Sequence, residues 1–212
     1  MKTKNLLIFS CLLLFQIGSS QGFVNMDFER ARIRDVSYGN ISPTNAFPGW
    51  AVSASYIVYD DFSLTGGSIS IYDSNPPYYV PSIQGTYFAL FQSANYSTAL
   101  YSISLGQTGQ IPSWAQSISF WGVIGGLQIT FNEQPLSFSA TGSTANYSIY
   151  SADISAYAGQ TGQLLFTMPP SLSYAELDNI QFSTTPVPEP SAFALAALGG
   201  LLFGFRRWRK PA

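Results

Sequence analysis

The chain predicts an all-β protein, an antiparallel β-sandwich with an N-terminal signal helix before it and a C-terminal transmembrane helix after it. Three observations predict this. From Trp50 onward, short runs rich in Val, Ile, Thr, Tyr and Phe alternate with turn clusters of Gly, Pro, Asn or Ser, the strand-and-turn rhythm of a sandwich. No stretch of the middle carries a sustained 3.6-residue apolar period. Each end has the composition of a targeting segment rather than of a fold.

At the N-terminus, Lys2 and Lys4 precede the apolar run Leu6 to Ile17, and Gly18 and Ser20 supply the small residues of a signal-peptidase site. Cleavage after Ser20 makes residues 1–20 a signal peptide and Gln21 the first residue of the mature protein; so short an apolar run does not cross a bilayer core of about 30 Å. At the C-terminus, residues 185–212 place three units head to tail: Val187-Pro188-Glu189-Pro190-Ser191, an apolar helix over 191–205, and the basic cluster Arg206, Arg207, Arg209 and Lys210. Those cations stay cytoplasmic and leave the preceding domain outside. The apolar run makes about 22 Å of helix, a marginal span that suits a temporary hold.

Between them, residues 21–184 form one domain. Phe23 to Phe28 alternates and is followed by the charged knot Glu29 to Asp35, then a loop to Phe47-Pro48-Gly49-Trp50. Strands are expected over 51–59, 68–72, 86–92, 98–105, 116–123, 127–132, 136–139, 146–151, 163–168 and 175–183. Ile118 and Phe120 share one face, as do Leu127, Ile129 and Phe131, with Ser117, Ser119, Gln128 and Thr130 opposite, so one dry and one wet face are expected. Pro76, Pro77 and Pro81 make the segment around Tyr78 and Tyr79 a loop or an edge. Gly66-Gly67 and Gly125-Gly126 are hairpin signals. A single helical turn is expected near Asp153 to Ala158, ended by Gly159.

Charge and cysteine usage exclude several functions. The only cysteine, Cys11, lies in the signal peptide and the chain has no histidine, so disulfides, thiolate or imidazole metal sites and a histidine base are excluded from the mature domain. Secretion without disulfides fits a bacterium. Between Gln21 and Pro190 the only cations are Arg30, Arg32 and Arg34, against all eleven Asp and Glu. Nucleic-acid binding, which needs Lys and Arg to displace counterions, is excluded. Aromatics make up 16% of the chain, far more than a disordered segment carries.

No catalytic constellation is legible, and the protein is expected not to be an enzyme. The serines have neither histidine nor lysine to activate them. Asp60, Asp61, Asp73, Glu133, Asp153 and Glu176 are the carboxyl groups that glycoside hydrolysis would need in a flanking pair. Asp60 and Asp61 are adjacent and point to opposite faces of a strand, and nothing pairs the others.

The C-terminal arrangement resembles the PEP-CTERM sorting signal of Gram-negative bacteria, carried by Val187 to Ser191, the Ala/Leu/Gly-rich run and Arg206 to Lys210. The resemblance implies transient retention in the inner membrane, cleavage by an exosortase near Pro188-Glu189-Pro190, and release to the cell surface or extracellular matrix. In the middle, Phe23-Val-Asn-Met-Asp-Phe-Glu29 followed by Phe47-Pro-Gly-Trp50 is similar to the opening of galactose-binding-like jelly rolls, a group that includes carbohydrate-binding modules. Ala175-Glu-Leu-Asp-Asn-Ile-Gln-Phe182 resembles their last strand, and Asp153 to Gln160 their penultimate loop. Met26 stands where that family often has Gly. This likeness implies a jelly roll in a structural or adhesive role, or alternatively a carbohydrate-binding module for exopolysaccharide.

Two sites are expected on the sandwich. Asp178 has the parity of Ile180 and Phe182, so its carboxylate leans toward the core and must be paired or coordinated. The jelly-roll resemblance implies a structural calcium joining first and last strands, with Asp27, Glu29 and Asp178 as oxygen ligands. A salt bridge to Arg30, Arg32 or Arg34, or a hydrogen-bonded cap, would serve equally. For sugar stacking, Trp50, Tyr72, Tyr78, Tyr79, Tyr101 and Trp114 are available. Trp50, after Pro-Gly, is expected in the core, which leaves Tyr78 and Tyr79 as the expected ligand-binding pair.

Overall fold

A computed structural model describes residues 22–33, 39–59, 67–73, 83–93, 102–171 and 173–187. The elements in chain order are β1 (Gly39–Asn40), a one-turn helix α1 (Pro43–Ala46), β2 (Ala51–Ser53), β3 (Tyr56–Tyr59), β4 (Ser68–Asp73), β5 (Tyr87–Ser93), β6 (Ile103–Gln110), β7 (Ser117–Val123), β8 (Gln128–Phe131), β9 (Gln134–Pro135), β10 (Phe138–Ser143), β11 (Ser148–Asp153), a 3-10 turn (Ser155–Tyr157), β12 (Thr161–Met168) and β13 (Ser173–Ser183). They build two sheets, an eight-stranded one in the order β1-β3-β4-β5-β13-β7-β11-β10 and a five-stranded one in the order β2-β6-β12-β8-β9. Among the described residues no helix is long and apolar enough to cross a membrane. The signal helix and the transmembrane helix expected at the two ends lie outside the described residues.

The core lies between the sheets because alternate side chains of each turn toward the other. Ile118 and Phe120 of β7, Ala175 and Leu177 of β13, and Leu164, Phe166 and Met168 of β12 are all buried in one cluster. Aromatic rings link the sheets: Phe166 stands edge-on to Phe120 at 5.9 Å and lies 6.2 Å from Trp50. Trp50 is only 6% exposed, as its position after Pro-Gly predicts.

Each of the ten expected strand regions carries strand, residues 98–101 of the fourth lying outside the described residues, with three corrections. Residues 51–59 divide into β2 and β3, which belong to different sheets; the chain leaves β2 at Ala54, and Ser55 N–H donates to Gly67 O at 3.0 Å. β3 and β4 pair in parallel, so Gly66-Gly67 does not close a hairpin. Gly125-Gly126 does not either, since it joins β7 to β8 across the two sheets; a Cβ on Gly125 would collide with Tyr174 O, so glycine is required there by close backbone approach. The hairpin between β8 and β9 is instead turned by Asn132 and Glu133, at φ 47° and 65°, the two left-handed residues that a tight primed turn demands.

The expected wet face of the larger sheet is also corrected. Every residue of β4 is buried, as are Phe88 to Ser93 of β5. Tyr72, Ile83, Phe88 and Leu90 form a second apolar cluster, against which Trp121 and Tyr147 pack. Phe88-Ala-Leu-Phe91 is an almost unbroken apolar run, the pattern of a strand covered on both faces.

The opening segment has little ladder of its own; Gly22 makes an isolated bridge to Gln110, and side chains hold the rest. Asn25, at φ 51° and 5% exposed, donates its amide N–H to Pro48 O at 3.0 Å and accepts Arg30 N–H at 2.9 Å. Its backbone oxygen takes the Trp50 indole N–H at 2.9 Å. Phe28, fully buried, stands edge-on to Phe47 at 5.9 Å and lies 5.7 Å from Trp50. Replacing Asn25 by Ala leaves Pro48 O and Arg30 N–H without these partners and puts a Cβ residue without Asn's local hydrogen bonding at positive φ. The expected loss is on the order of 2–4 kcal/mol of stability, read from chemical denaturation.

Candidate functional site

The acidic corner forms where the opening segment meets the last strand. β13 changes face partway along. Its pairing with β7 slips between Asp178 and Gln181, and Asn179 takes φ 48°, so a bulge inserts and reverses the alternation. Ala175 and Leu177 point into the core before the bulge and Ile180 after it. Asp178 therefore shares the side of Glu176, facing away from the core, and not the side of Ile180 and Phe182 as simple parity predicts. It is nonetheless fully buried. The opening segment locks on here too, with Ile180 N–H donating to Met26 O at 2.9 Å.

Both oxygens of Asp178 accept backbone N–H groups, Oδ1 from Asn179 at 2.6 Å and Oδ2 from Gln84 at 2.9 Å. Glu29 works alike: its Oε1 accepts Thr86 N–H at 2.7 Å and Tyr87 N–H at 2.9 Å, tying the opening segment to the start of β5. Gly85 passes directly under that carboxylate at φ 62°, and a Cβ there would collide with Glu29 Oε1. Asp27 accepts Glu29 N–H at 3.4 Å.

The charges of this corner are unbalanced. Burial pushes the Asp178 carboxyl up to about 8; its two backbone hydrogen bonds oppose this, while Glu29 and Asp27 push it further up. Among the described residues no arginine contributes to that balance, so neither Arg30 nor Arg32 is what holds Asp178; Arg34, the third expected partner, lies outside the described residues. Burial likewise raises Glu176. Tyr87 is raised by burial, then by Asp73 and Glu29. Asp27, Glu29 and Asp178 thus occupy one corner and feel one another. Yet among the described residues no three acidic side chains converge closely enough to hold a metal ion. The Oε1 of Gln84, whose N–H holds Asp178, is buried with no hydrogen-bond partner among the described residues.

The remaining carboxylates are scattered in structural posts. Asp73 accepts the Tyr59 hydroxyl at 2.6 Å, Asp153 accepts Ser155 N–H at 2.8 Å at the 3-10 turn, and Glu133 is an exposed turn residue. Asp60 and Asp61 lie outside the described residues.

Of the aromatic candidates, Trp50 and Tyr72 are buried, and Trp114 is 53% exposed. Tyr78, Tyr79 and Tyr101 lie outside the described residues. Sequence reasoning did not single out Trp121 and Tyr147, which stack at 5.3 Å and 13° on the outer side of the larger sheet. Their signal was Trp121 at the parity of Ser117 and Ser119. In the sorting segment, Val187 is half-buried; Pro188, Glu189, Pro190, Arg206, Arg207, Arg209 and Lys210 lie outside the described residues.

These features define a β-sandwich that continues directly into a sorting tail. Residues 186–210 match the PEP-CTERM protein-sorting motif, so the chain carries the tag of a protein sorted by an exosortase to the surface or the extracellular space. No curated protein sequence matches the chain. Among solved structures, it is similar to the K2 cleaved adhesin domain of Lys-gingipain, with 13% identity over 73% of this chain and 97% of that one, at a TM-score of 0.44. It is also similar to TmCBM61 in complex with beta-1,4-galactotriose, with 16% identity over 77% of this chain and 99% of that one, at a TM-score of 0.40. The enzymatically active domain of bacteriophage CBA120 tailspike protein 4 is 10% identical over 64% of this chain and 19% of that one, at a TM-score of 0.39.

The raised Asp178 has a direct consequence for stability. Its folded pKa of about 8 lies above the ordinary 3.8, so in that interval the folded state holds a proton that the unfolded chain has released. Stability contributed by this group is therefore present at the acid end and lost as pH rises through about 8. Glu176 acts in the same direction. In chelator, denaturant midpoints are expected to fall as pH rises across the interval. Asp178→Asn, which keeps the shape and cannot ionise, is expected to flatten much of that fall.

Proposed function

We propose that this chain is a secreted, non-catalytic protein of a Gram-negative bacterium, held briefly in the inner membrane and then released by an exosortase to the cell surface or matrix in a structural or adhesive role. The observation that carries this is the junction: the sorting motif begins at residue 186, three residues after β13 ends at Ser183. The tag follows a closed fold with almost no spacer. The other end supports it, since Gly22 already bridges to Gln110, one residue after the first residue left by cleavage at Ser20. The strand order supports the finer jelly-roll description: β13 lies between β5 and β7, and β12 between β6 and β8. A non-catalytic role is supported by the carboxylates of the described residues, most of which are committed to backbone or hydroxyl donors.

In a host with its exosortase, the wild-type chain is expected outside the cell, shortened near the motif, and Glu189→Gln with Pro188→Ala is expected to stay full-length in the membrane fraction. Equal release of both would refute sorting through this motif. The second reading, binding of exopolysaccharide, is favoured by the half-buried Trp121–Tyr147 stack and tested on the released protein. Retention on the host polysaccharide that Tyr147→Ala, or Tyr78→Ala or Tyr79→Ala in the loop expected from the sequence, abolishes would assign it to glycan binding.

For the acidic corner we infer a structural calcium, with Asp27, Glu29 and Asp178 drawn together around it. Its support is chemical: a buried carboxyl beside two further carboxyls, with the unpartnered Gln84 Oε1 as another hard oxygen donor. Millimolar calcium is expected to raise Tm for the wild type and not for Asp178→Ala. No rise in the wild type would leave the corner as a hydrogen-bonded cap.

A further inference from the structure

Among the described residues, the end of the sandwich from which the sorting tail departs carries one large, well-exposed apolar side chain, Trp114 at 53% exposure. It sits at the tip of a rigid turn in which Ala115 N–H donates to Pro112 O at 3.0 Å, between the buried side chains Ile111 and Ala115. The turn is fixed to its neighbour by Ile111 N–H to Gln160 O and Gly159 N–H to Ile111 O, each 3.0 Å. The departing chain is fastened beside it: Gln116 N–H donates to Ser183 O at 2.8 Å, and the Ser117 hydroxyl to Thr185 O at 2.7 Å. Trp114 is thus two residues from the point where β13 ends.

We propose that this end of the domain docks on the outer surface of the membrane that holds the tail, with the Trp114 indole seated among the lipid headgroups. The inference rests on the reading that residues 191–205 stay in the bilayer before cleavage. From Thr185, held by Ser117, only Pro186 to Pro190 separate the fold from Ser191. Five residues span at most about 18 Å, and the headgroup layer is about 5–7 Å deep on each side. Fully extended, the tether carries Thr185 no more than roughly 11–13 Å above the headgroups, so this end of the sandwich stays within reach of the membrane surface. Charge beside the indole permits contact: the turn from Pro112 to Gln116 and the neighbouring stretch from Ser155 to Gln160 contain no carboxylate or cation, and Asp153 is engaged with Ser155 N–H. The exposed Glu133, in the β8–β9 turn at this same end, is the carboxylate that the contact must leave in water. Tryptophan, apolar in body with one N–H donor, favours the headgroup level. Contact at a second point fixes the orientation of the domain, and with it the height at which Pro188-Glu189-Pro190 is presented for cleavage.

The test uses the mature, uncleaved chain in phosphatidylethanolamine/phosphatidylglycerol vesicles containing lipids spin-labelled near the headgroup. Cys11 leaves with the signal peptide, so Ser113→Cys supplies a unique thiol for a fluorophore next to the intact Trp114, and Ala145→Cys, on the turn at the opposite end, supplies the control. After flotation with the vesicles, strong quenching is expected at 113, little at 145, and markedly less at 113 once Trp114→Ala is added, with Tm unchanged. A floating chain with equal quenching at 113 and 145, or with quenching at 113 indifferent to Trp114→Ala, overturns the docking while leaving membrane retention intact. A chain that does not float overturns both. Retention of the exosortase-released protein on exopolysaccharide that Trp114→Ala abolishes, without any effect of that change on quenching, assigns the indole to glycan instead.

Discussion

The fold depends on how a nearly ladderless opening segment is fastened to both sheets at once. Asn25 is the fastening: one residue receives the indole of Trp50 on its carbonyl, caps Arg30 N–H and grips Pro48 O. The indole bond is buried and the other two partly so, so leaving any unmade costs some desolvation of its partner, most at the indole. With Asn25 in place, Phe28 enters the core against Phe47 and Trp50, and Glu29 is delivered to the backbone of Thr86 and Tyr87. The aromatic core and the acidic corner are thus two outcomes of one local conformation. That explains why Asn, Phe, Glu and a distant Pro-Gly-Trp occur together in the sequence.

The bulge in β13 is the complementary device. A strand of eleven residues with strict alternation would commit Asp178 to the same side as Ile180. The slip at Asn179 lets Leu177 and Ile180 both face inward and frees Asp178 to turn outward, onto the N–H of Gln84. A buried carboxylate thereby fastens a segment whose N–H groups would otherwise be unmet. The cost is a carboxyl surrounded by like charges.

Strand positions were legible because alternation is written in side chains: Leu164, Phe166 and Met168 against Thr161, Gln163 and Thr167 declare a half-buried strand. Asp27, Glu29 and Asp178 were legible as one neighbourhood through the motifs around them. The partners of those carboxylates were not, because Gln84, Thr86 and Tyr87 contribute backbone N–H groups, which every residue but proline possesses. The reversal of Asp178 was hidden for a related reason, since one added residue in a strand leaves no mark except a tolerant Asn at the bulge. The second apolar cluster was readable in Phe88 to Phe91, whose continuous apolar character contradicts a one-sided strand.

Scarcity of charge shapes both the surface and the tail. The edges of the sheets are protected by geometry rather than by lysines: β1 and β9 are two residues long, β9 ends in Pro135, and β10 is interrupted by a register shift between Ala140 and Gly142. Short, proline-bearing and bulged edges resist pairing with another chain as charged ones do. In the proposed reading of the tail, a domain built this way leaves the basic cluster Arg206 to Lys210 with few competitors as an orientation signal, the arginines at 30, 32 and 34 being far along the chain. Positive charge beside an apolar run is read by the membrane according to its proximity to that run. The sparing use of Lys and Arg in the sandwich and the clarity of its sorting tail are therefore consistent parts of one charge economy.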